Sequence, residues 1–250
     1  MITIKSKREI ELMKEAGAIV AYVLKEIEKY IKPGVSTLEL DAIAENMIRS
    51  KGAIPSFKGY EGFPASICTS INNMLVHGIP SAKAILHEGD IISIDCGAMK
   101  HGYHGDAAYT YTVGKIDPKH QKLLDVTKQS LYEGLKQVKA GNRVGDISHA
   151  IQTYVESFGF SLPIEYTGHG IGQNMHEDPA IPNVGLSGTL ERLKEGMCIA
   201  IEPMVFEGRP HCRTLSDGWG VVSKDGSWAA HFEHSVVVLK DGYEILTKEE

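Results

Sequence analysis

Two carboxylates stand out in residues 91–113, IISIDCGAMKHGYHGDAAYTYTV. The β-branched and aromatic residues of this segment predict two strands, and its glycines supply the bends between them. Asp95 lies in the first predicted strand and Asp106 in the second. A carboxylate inside an apolar strand is costly unless a cation or hydrogen bonds compensate it. The pair therefore indicates a shared metal ion. The alternative is one buried, hydrogen-bonded Asp beside one turn Asp.

Two further carboxylates stand alone in apolar segments. Glu202 lies within CIAIEPMV, and Glu233 comes just before the apolar end of HFEHSVVVL. Ion pairs within the protein could explain one or two of these carboxylates, but the only Lys or Arg in the segments that carry them is Lys100, so a bound cation accounts best for the whole set. Carboxylates with one or two histidines suit Mn(II), Fe(II) or Co(II) and can hold Zn(II). Four carboxylates exceed the needs of one catalytic zinc, whereas two ions about 3.5–4 Å apart would use them all.

The eleven histidines divide by their surroundings. Three occur in compact segments rich in Gly or Pro (VHGIP, GHGIG and MHEDP), which favours a functional role: His77, His169 and His176. Three in helical or loop segments are predicted to be solvated: His87, His120 and His149. Two at the turn of the hairpin are predicted to be structural: His101 and His104. Three lie near the carboxylate strands, and the sequence leaves two roles open for them, either support of the metal ligands or packing in the core: His211, His231 and His234.

Composition limits the class of protein. The 250 residues carry a net charge of −6 and 42% hydrophobic residues, which is ordinary for a soluble globular chain. This charge gives no reason to expect nucleic acid or an anionic membrane as the main partner. The N-terminal residues do not resemble a signal peptide, and no apolar run is long enough to span a bilayer. Four scattered cysteines without a C-x-x-C pair are expected to be reduced thiols, so we predict a cytoplasmic protein.

Local signals place four helices around these strands. Capping boxes at Ser6 and Ser36 predict the starts of two helices, the first of which should stop at Pro33-Gly34. Asp117-Pro118 predicts a third helix, ending at Ala140-Gly141, and a fourth follows over residues 146–157.

The two helix pairs resemble each other at a constant offset, and each precedes a β-rich stretch with a His-containing loop. We therefore predict a single catalytic domain over residues 1–250 made of two related halves, about 1–115 and 116–250. The identity between the halves is thin, so chance similarity is the alternative.

Several segments resemble the bacterial type I methionine aminopeptidases, over essentially the whole chain. The matching segments are CTSINNMLVHGIP, IISIDCGAMKHGYHGDAAYTY, TGHGIGQNMHEDP, IAIEPM and FEHSVVV. The resemblance implies an α/β (α+β) pita-bread fold, with a pseudo-two-fold curved antiparallel sheet backed by helices. The aminopeptidase P and prolidase group shares the ordered Asp, Asp, His, Glu, Glu set. Those relatives usually carry an additional N-terminal domain, which this sequence does not show.

The resemblance also implies roles for the chemistry-bearing residues. Two divalent metal ions (Co, Mn, Fe or Zn) would be held by Asp95, Asp106, His169, Glu202 and Glu233. Asp106 and Glu233 would bridge both ions, Asp95 would serve one ion, and His169 with Glu202 the other. A metal-activated water would attack the scissile carbonyl while Glu202 shuttles the proton. His176 would donate a hydrogen bond to the oxyanion, and His77 would contact the scissile amide.

The methionine side chain would bind in a pocket of aromatic and sulfur-containing residues, which suit a thioether. The positions that match the family's pocket are Phe57, Tyr60, Phe63, Cys68, Met175 and Trp219. Phe57 and Met175 stand where Cys and Phe are more familiar, and Phe63 replaces Tyr, which leaves the pocket's volume open.

The predicted function is removal of the initiator methionine from nascent proteins when the second residue is small. The enzyme would be a cytoplasmic monomer that associates transiently with ribosomes. An X-Pro aminopeptidase is one alternative, and a non-catalytic binding protein with the same fold is another. Because Ile2 is β-branched, the chain's own Met1 is predicted to be retained.

Overall fold

The computed structural model describes residues 2–248, so the prediction about Met1 lies outside the described residues. Its α-helices are α1 (Lys7–Ile27), α2 (Thr37–Ser50), α3 (Pro118–Leu135) and α4 (Val144–Ser157). Single 3-10 turns cover Glu28–Tyr30 and Tyr60–Gly62. Among the described residues, no helix is both long and apolar enough to span a membrane.

The predicted caps are present, but two helices end earlier than predicted. Ser6 Oγ accepts from the Glu9 amide, and the Glu9 carboxylate accepts from the Ser6 amide in return. Helix α1 ends at Ile27 in a 3-10 turn, before Pro33-Gly34. Helix α3 ends at Leu135, because the following residues form i→i+3 bonds and Ala140 donates to the Leu239 carbonyl.

Helix α4 begins two residues earlier than predicted. The Asp146 carboxylate accepts a hydrogen bond from the Arg143 amide at 2.7 Å, so Asp146 caps the first turn from inside the helix rather than preceding it. The helix therefore starts at Val144, and it ends at Ser157, as predicted.

The strands of the described chain pair antiparallel throughout. In the first half they are β1 (Ile54–Pro55), β2 (Ile67–Ile71), β3 (Met74–Val76), β4 (Ile91–Lys100) and β5 (Tyr103–Thr112). In the second half they are β6 (Thr167–Gly170), β7 (Glu177–Pro182), β8 (Cys198–Ile201), β9 (Met204–Phe206), β10 (Cys212–Thr214), β11 (Val221–Ser223), β12 (Ala229–His231), β13 (His234–Val238) and β14 (Tyr243–Ile245).

Two main sheets carry the site. Strand β4 pairs with β5 along one edge and with β2 and β1 along the other, while the second sheet has the order β14-β13-β8-β6-β7. One core packs α1 and α2 against the first sheet, and another packs α3 and α4 against the second. This is the predicted class of antiparallel sheet backed by helices. The division into one domain of two related halves stays a prediction.

The two sheets meet where the predicted ligands lie. Glu233 N donates to Ala108 O at 2.9 Å, and Ser235 Oγ bonds both the amide and the carbonyl of Asp106. Helix α1 crosses β5 closely, because a Cβ on Gly105 would lie 2.7 Å from the Cα of Gly17. The packing of α1 and β13 therefore fixes the strand that carries Asp106.

Candidate metal centre

The hairpin β4–β5 presents its two carboxylates on one face. Asp95 pairs with Ala108 and Asp106 pairs with Gly97, so Asp95 and Asp106 are diagonal neighbours. Directly opposite residues of an antiparallel pair share a face, as do residues i and i+2. The small partners leave the space above this face open. The hairpin thus brings its two carboxylates together.

The second sheet brings His169, Glu202 and Glu233 to the same place. His169 lies on β6, Glu202 follows β8, and Glu233 precedes β13. His169 Nε2 lies 3.7 Å from Asp106 Oδ2 and 3.7 Å from Glu202 Oε1. Ligand-type atoms of Asp106, His169 and Glu233 all lie within 4.8 Å of one another. The structure thus places all five predicted ligands in a single centre.

The glycines around His169 have a backbone role. A Cβ on Gly168 would lie 2.3 Å from Ala200 O, and one on Gly170 would lie 2.2 Å from Asp178 O. These glycines therefore allow the neighbouring strands β8 and β7 to approach β6 closely. His169 Nδ1 lies 2.8 Å from Gly170 O, to which an Nδ1–H donates. This bond leaves Nε2 free to face the carboxylates, as in ligating histidines.

The electrostatics of the centre favour a cation. Burial raises the pKa of Asp95 and Glu233, and the charge of Asp106 adds to both effects. Burial also raises the pKa of Asp106. Within the centre, three buried carboxylate oxygens have no hydrogen-bond partner among the described residues: Asp95 Oδ1, Asp106 Oδ1 and Glu233 Oε1. Buried polar atoms are seldom left unpaired, and carboxylate oxygens with an imidazole nitrogen are a donor set that divalent metals accept. The residues therefore fit a metal centre.

Of the three histidines left open, only His231 faces the centre. Its Nε2 lies 3.3 Å from Glu202 Oε2 and 3.9 Å from Glu233 Oε2. His234 points to the other side of the strand, where its ring nitrogens pair with Thr247 and Tyr109. His211 is exposed. Sequence spacing carried a signal for His231, because residues i and i+2 of extended chain share a face and Glu233 was already a candidate ligand.

His176 and His77 border the centre without joining the carboxylates. The His176 ring lies 4.3 Å from that of His169, and its Nδ1 lies 2.9 Å from Tyr60 Oη. Burial, with His169 nearby, lowers the pKa of His176 to about 4. Burial likewise lowers the pKa of His77, whose ring contacts Trp219 at 6.4 Å. Both imidazoles are therefore neutral near pH 7.

A cavity of about 290 Å³ opens above the centre. Five of the predicted pocket residues line it: Phe57, Tyr60, Phe63, Cys68 and Trp219. Met175 is buried in the same apolar cluster but does not line the cavity. Gly97 makes room for this cluster, since a Cβ there would lie 2.8 Å from the Phe57 ring. Sequence reasoning missed Tyr166 and Met204, which also line the cavity, because neither type stands out in its local context.

The remaining histidines bring one correction. His87 and His149 are exposed, as predicted. His104 Nδ1 contacts Ser56 Oγ at 2.8 Å, in keeping with a structural role, whereas His101 is an exposed turn residue. The prediction that His120 is solvated is wrong.

The pairing of β9 with β12 explains why the His120 side chain is not solvated. Its ring stacks on Trp228 at 3.5 Å, and its Nδ1 lies 2.6 Å from Glu207 Oε1. Glu207 follows β9 and Trp228 precedes β12, and the pairing of these strands brings both side chains to the start of α3. No local sequence pattern reports such a contact.

Comparisons with known proteins agree with the site. The model of metallopeptidase family M24 matches residues 11–240. Methionine aminopeptidase 1 of Bacillus subtilis is 56% identical over 248 residues, which cover 99% of this chain and 100% of that protein. The crystal structure of methionine aminopeptidase from Thermotoga maritima superimposes with a TM-score of 0.98 at 46% identity and covers 100% of both chains.

The fold extends to enzymes of other specificity. The Xaa-Pro dipeptidase from Bacillus anthracis aligns with a TM-score of 0.79 and 27% identity over 99% of this chain, but over only 62% of its own. The methionine aminopeptidases match at higher identity and over their whole length. The chain therefore belongs to metallopeptidase family M24, among its methionine aminopeptidases, and has the pita-bread fold of that family.

Proposed function

We propose that this chain is a metal-dependent hydrolase that removes the initiator methionine from nascent polypeptides when the second residue is small. One observation supports this above the rest. Buried, unpaired oxygens of Asp95, Asp106 and Glu233 face a cavity whose other wall is made of aromatic and sulfur-containing side chains. Such a site can bind a cation and an apolar side chain next to each other, which is what cleavage after an N-terminal methionine requires.

The cofactor of the proposal is a pair of divalent ions per chain, drawn from Co, Mn, Fe or Zn. Asp106 and Glu233 would be shared, Asp95 would serve one ion, and His169 with Glu202 the other. Support for two positions comes from two donor groups that overlap at Glu233. When bound, such ions polarise a carbonyl and lower the pKa of water to about 7, which supplies a nucleophile at neutral pH.

His176 would stabilise the transition state as a neutral donor. Because its pKa is about 4, its ring carries a single N–H at neutral pH. The Tyr60 hydroxyl lies 2.9 Å from Nδ1, and donation from Tyr60 leaves the proton on Nε2. That N–H would donate to the oxyanion that develops from the scissile carbonyl, the kind of contact that contributes most to acyl-transfer catalysis. Tyr60 would thus orient His176 in addition to bordering the pocket.

Glu202 and His77 complete the proposed machinery. Glu202 would accept the proton of the attacking water and pass it to the departing amine. The free α-amine of the substrate would bind beside Asp95, which limits cleavage to the first residue of the chain. The His77 ring, held against Tyr166 and Trp219, would contact the scissile amide.

The methionine side chain would contact the predicted residues that line the cavity: Phe57, Tyr60, Phe63, Cys68 and Trp219. Met175 and Ile79, the second of which sequence reasoning missed, pack in the same apolar cluster and would support this wall. Polarisable sulfur and aromatic edges are favourable surroundings for a thioether.

The proposal also covers the oligomeric state, the domain organisation and the cellular location of the chain. It would act as a monomer with one domain of two related halves. It would also associate transiently with ribosomes in the cytoplasm, since its substrates are chains under synthesis.

Peptide cleavage tests the proposal against its two alternatives. Metal-loaded protein should release methionine from Met-Ala-Ser, should leave Ala-Pro-Gly intact, and should lose its activity in chelator. Cleavage of Ala-Pro-Gly instead would identify an X-Pro aminopeptidase, and cleavage of neither peptide would identify a binding protein. A Glu233→Ala variant, assayed in parallel, controls for contaminating peptidases.

A further inference from the structure

The backbone around His231 aims its ring at the centre. His231 ends β12, and Glu233 follows two residues later, so their side chains share a face of the extended chain. Thr110 Oγ1 accepts from the His231 amide at 2.9 Å and donates to the His231 carbonyl at 2.8 Å. These bonds tie His231 to β5, the strand that carries Asp106. They therefore fix the backbone position from which the His231 side chain extends.

The distances of His231 to the carboxylates match those of His169. His231 Nε2 lies 3.3 and 3.9 Å from oxygens of Glu202 and Glu233. His169 Nε2 lies 3.7 Å from oxygens of Asp106 and Glu202. The two imidazoles therefore approach opposite oxygens of Glu202. Ligand-type atoms of Glu202, His231 and Glu233 also lie within 4.8 Å of one another, as they do in the group that contains His169.

The ring nitrogen is positioned for coordination rather than for a hydrogen bond. His231 is 1% exposed, and its Nε2 has no hydrogen-bond partner in the described chain. N–H···O bonds span about 2.7–3.2 Å, which the contact with Glu202 exceeds. Two donors that each lie about 2.0–2.2 Å from one ion are separated by roughly 2.9–3.5 Å at tetrahedral or octahedral angles. The separation of 3.3 Å from Glu202 falls in this range, whereas the separation of 3.9 Å from Glu233 lies above it, as do the 3.7 Å separations of His169 from its carboxylates.

We propose that His231 is a further metal ligand, acting with Glu202 and Glu233, so that the centre contains two imidazoles. This inference rests on the proposed metal centre and adds a residue to it. A neutral imidazole adds a ligand without adding negative charge to four clustered carboxylates. Imidazole nitrogen suits Zn(II), Fe(II) and Co(II) better than Mn(II), for which carboxylate oxygen is the usual donor. His231 therefore biases the centre towards the first three ions.

The test uses Co(II) and the full chain. Chelator-treated wild type, His231→Gln, His231→Ala and His234→Gln are titrated with Co(II) by calorimetry. The hyperfine-shifted, solvent-exchangeable imidazole N–H protons of the loaded proteins are then counted by NMR. His234→Gln is the matched control, because His234 is also buried but faces away from the centre.

The wild type and the control should each show two shifted N–H signals, from His169 and His231. Both His231 variants should show one. Their Co(II) Kd should rise by at least about 10–100-fold, since that is already the loss for residues that only hydrogen-bond a metal ligand. Their Mn(II) Kd should rise less. One signal in the wild type, or unchanged Kd and signal count in both variants, would overturn the proposal. Recovery of wild-type Kd by Gln but not by Ala, with one signal throughout, would make His231 a donor to Glu202 instead.

Failure of this inference is distinguishable from failure of the proposed function. If Glu233→Ala binds Co(II) as the wild type does, the metal centre itself is misassigned. If Glu233→Ala loses Co(II) while the His231 variants behave as wild type, only the role of His231 is wrong. Thermal unfolding of each metal-free variant shows whether it folds. His231→Asn provides a smaller substitution should Gln or Ala disrupt packing.

Discussion

Glu177 and Glu233 are both buried carboxylates, but only Glu177 has a cationic side chain as its partner. Glu177 lies 2.6 Å from Lys5 Nζ, with side-chain exposures of 8% and 5%. Although burial alone would raise the pKa of Glu177, its bonds to Lys5 and Thr3 lower it overall. Burial raises the pKa of Glu233, and the neighbouring Asp106 raises it further. The charge of Glu177 is compensated by a side chain of the protein, whereas the charge of Glu233 requires a bound cation.

A third buried carboxylate shows that hydrogen bonds alone can provide compensation. Asp41 Oδ1 accepts from the backbone amides of Ser66 at 2.8 Å and Ile67 at 3.0 Å. The carboxylates of the metal centre instead face one another and two imidazoles, and three of their oxygens have no partner. Burial is thus common to structural and functional carboxylates in this molecule. What distinguishes the metal centre is a cluster of unpaired oxygens with no Lys or Arg of the described chain beside it, since the unpaired oxygen of Glu207 lies 3.1 Å from Lys119 Nζ.

Removing a carboxylate from the centre should have the largest effect. We expect Glu233→Gln to abolish methionine release and metal binding, while the metal-free protein becomes no less stable, since the substitution relieves like-charge repulsion at a group with a raised pKa. Metal analysis, peptide assay and thermal unfolding in chelator check this. A variant that keeps its metal and its turnover would end the assignment of Glu233 as a shared ligand.

The two histidines beside the centre should affect catalysis but not metal binding. His176→Ala and His77→Ala should lower kcat by about 10²–10³-fold, the loss expected for one transition-state hydrogen bond, with unchanged metal content. Tyr60→Phe should lower kcat less, since it removes only the partner that orients His176. Steady-state kinetics and metal analysis are the measurements. Loss of metal from either His variant would make that histidine a ligand.

Breaking the internal ion pair should affect folding rather than metal binding. Glu177→Gln leaves the Lys5 ammonium buried without its partner, so the free energy of unfolding should fall by about 3–5 kcal/mol with or without metal. Denaturant titration checks this. Glu11→Gln, which breaks the more exposed pair with Lys14, is the control and should change stability by about 0–1 kcal/mol. Equal losses of stability in the two variants would show that burial of the Lys5–Glu177 ion pair does not increase its contribution.

A smaller effect is expected from His234, on the opposite side of the strand from Glu233. Burial lowers its pKa to about 4, whereas an unfolded histidine titrates near 6.5. The unfolded state therefore binds the proton first, so this contribution to stability is complete above about pH 6.5 and is lost as the pH falls towards 4.

Between pH 7 and pH 5 this loss amounts to about 2 kcal/mol. Unfolding of metal-free wild type and His234→Gln at the two pH values should show the wild type losing that much more stability on acidification. Identical pH dependence of the two proteins would show that His234 titrates normally when folded.

Much of the fold and the site was predictable, because the signals are local. The capping box at Ser6 fixes the start of a helix within four residues of chain. Asp95 and Asp106 are conspicuous because each interrupts an apolar strand, and a short turn forces the two strands to pair. The resemblance of whole segments supplied the histidines and the pocket, since those segments keep their order and spacing.

Contacts between distant segments depend on packing, and sequence patterns do not report them. His231 ends β12 and His234 begins β13 three residues later, yet one faces the metal centre and the other pairs with Thr247. Alternation in extended chain places them on opposite faces, but only the packed sheets decide which face is the site. Tyr60 meets His176 across 116 residues. The sequence determined which residues could bind a metal, and the tertiary structure decided which of them meet, because burial and partners exist only once the two sheets are packed.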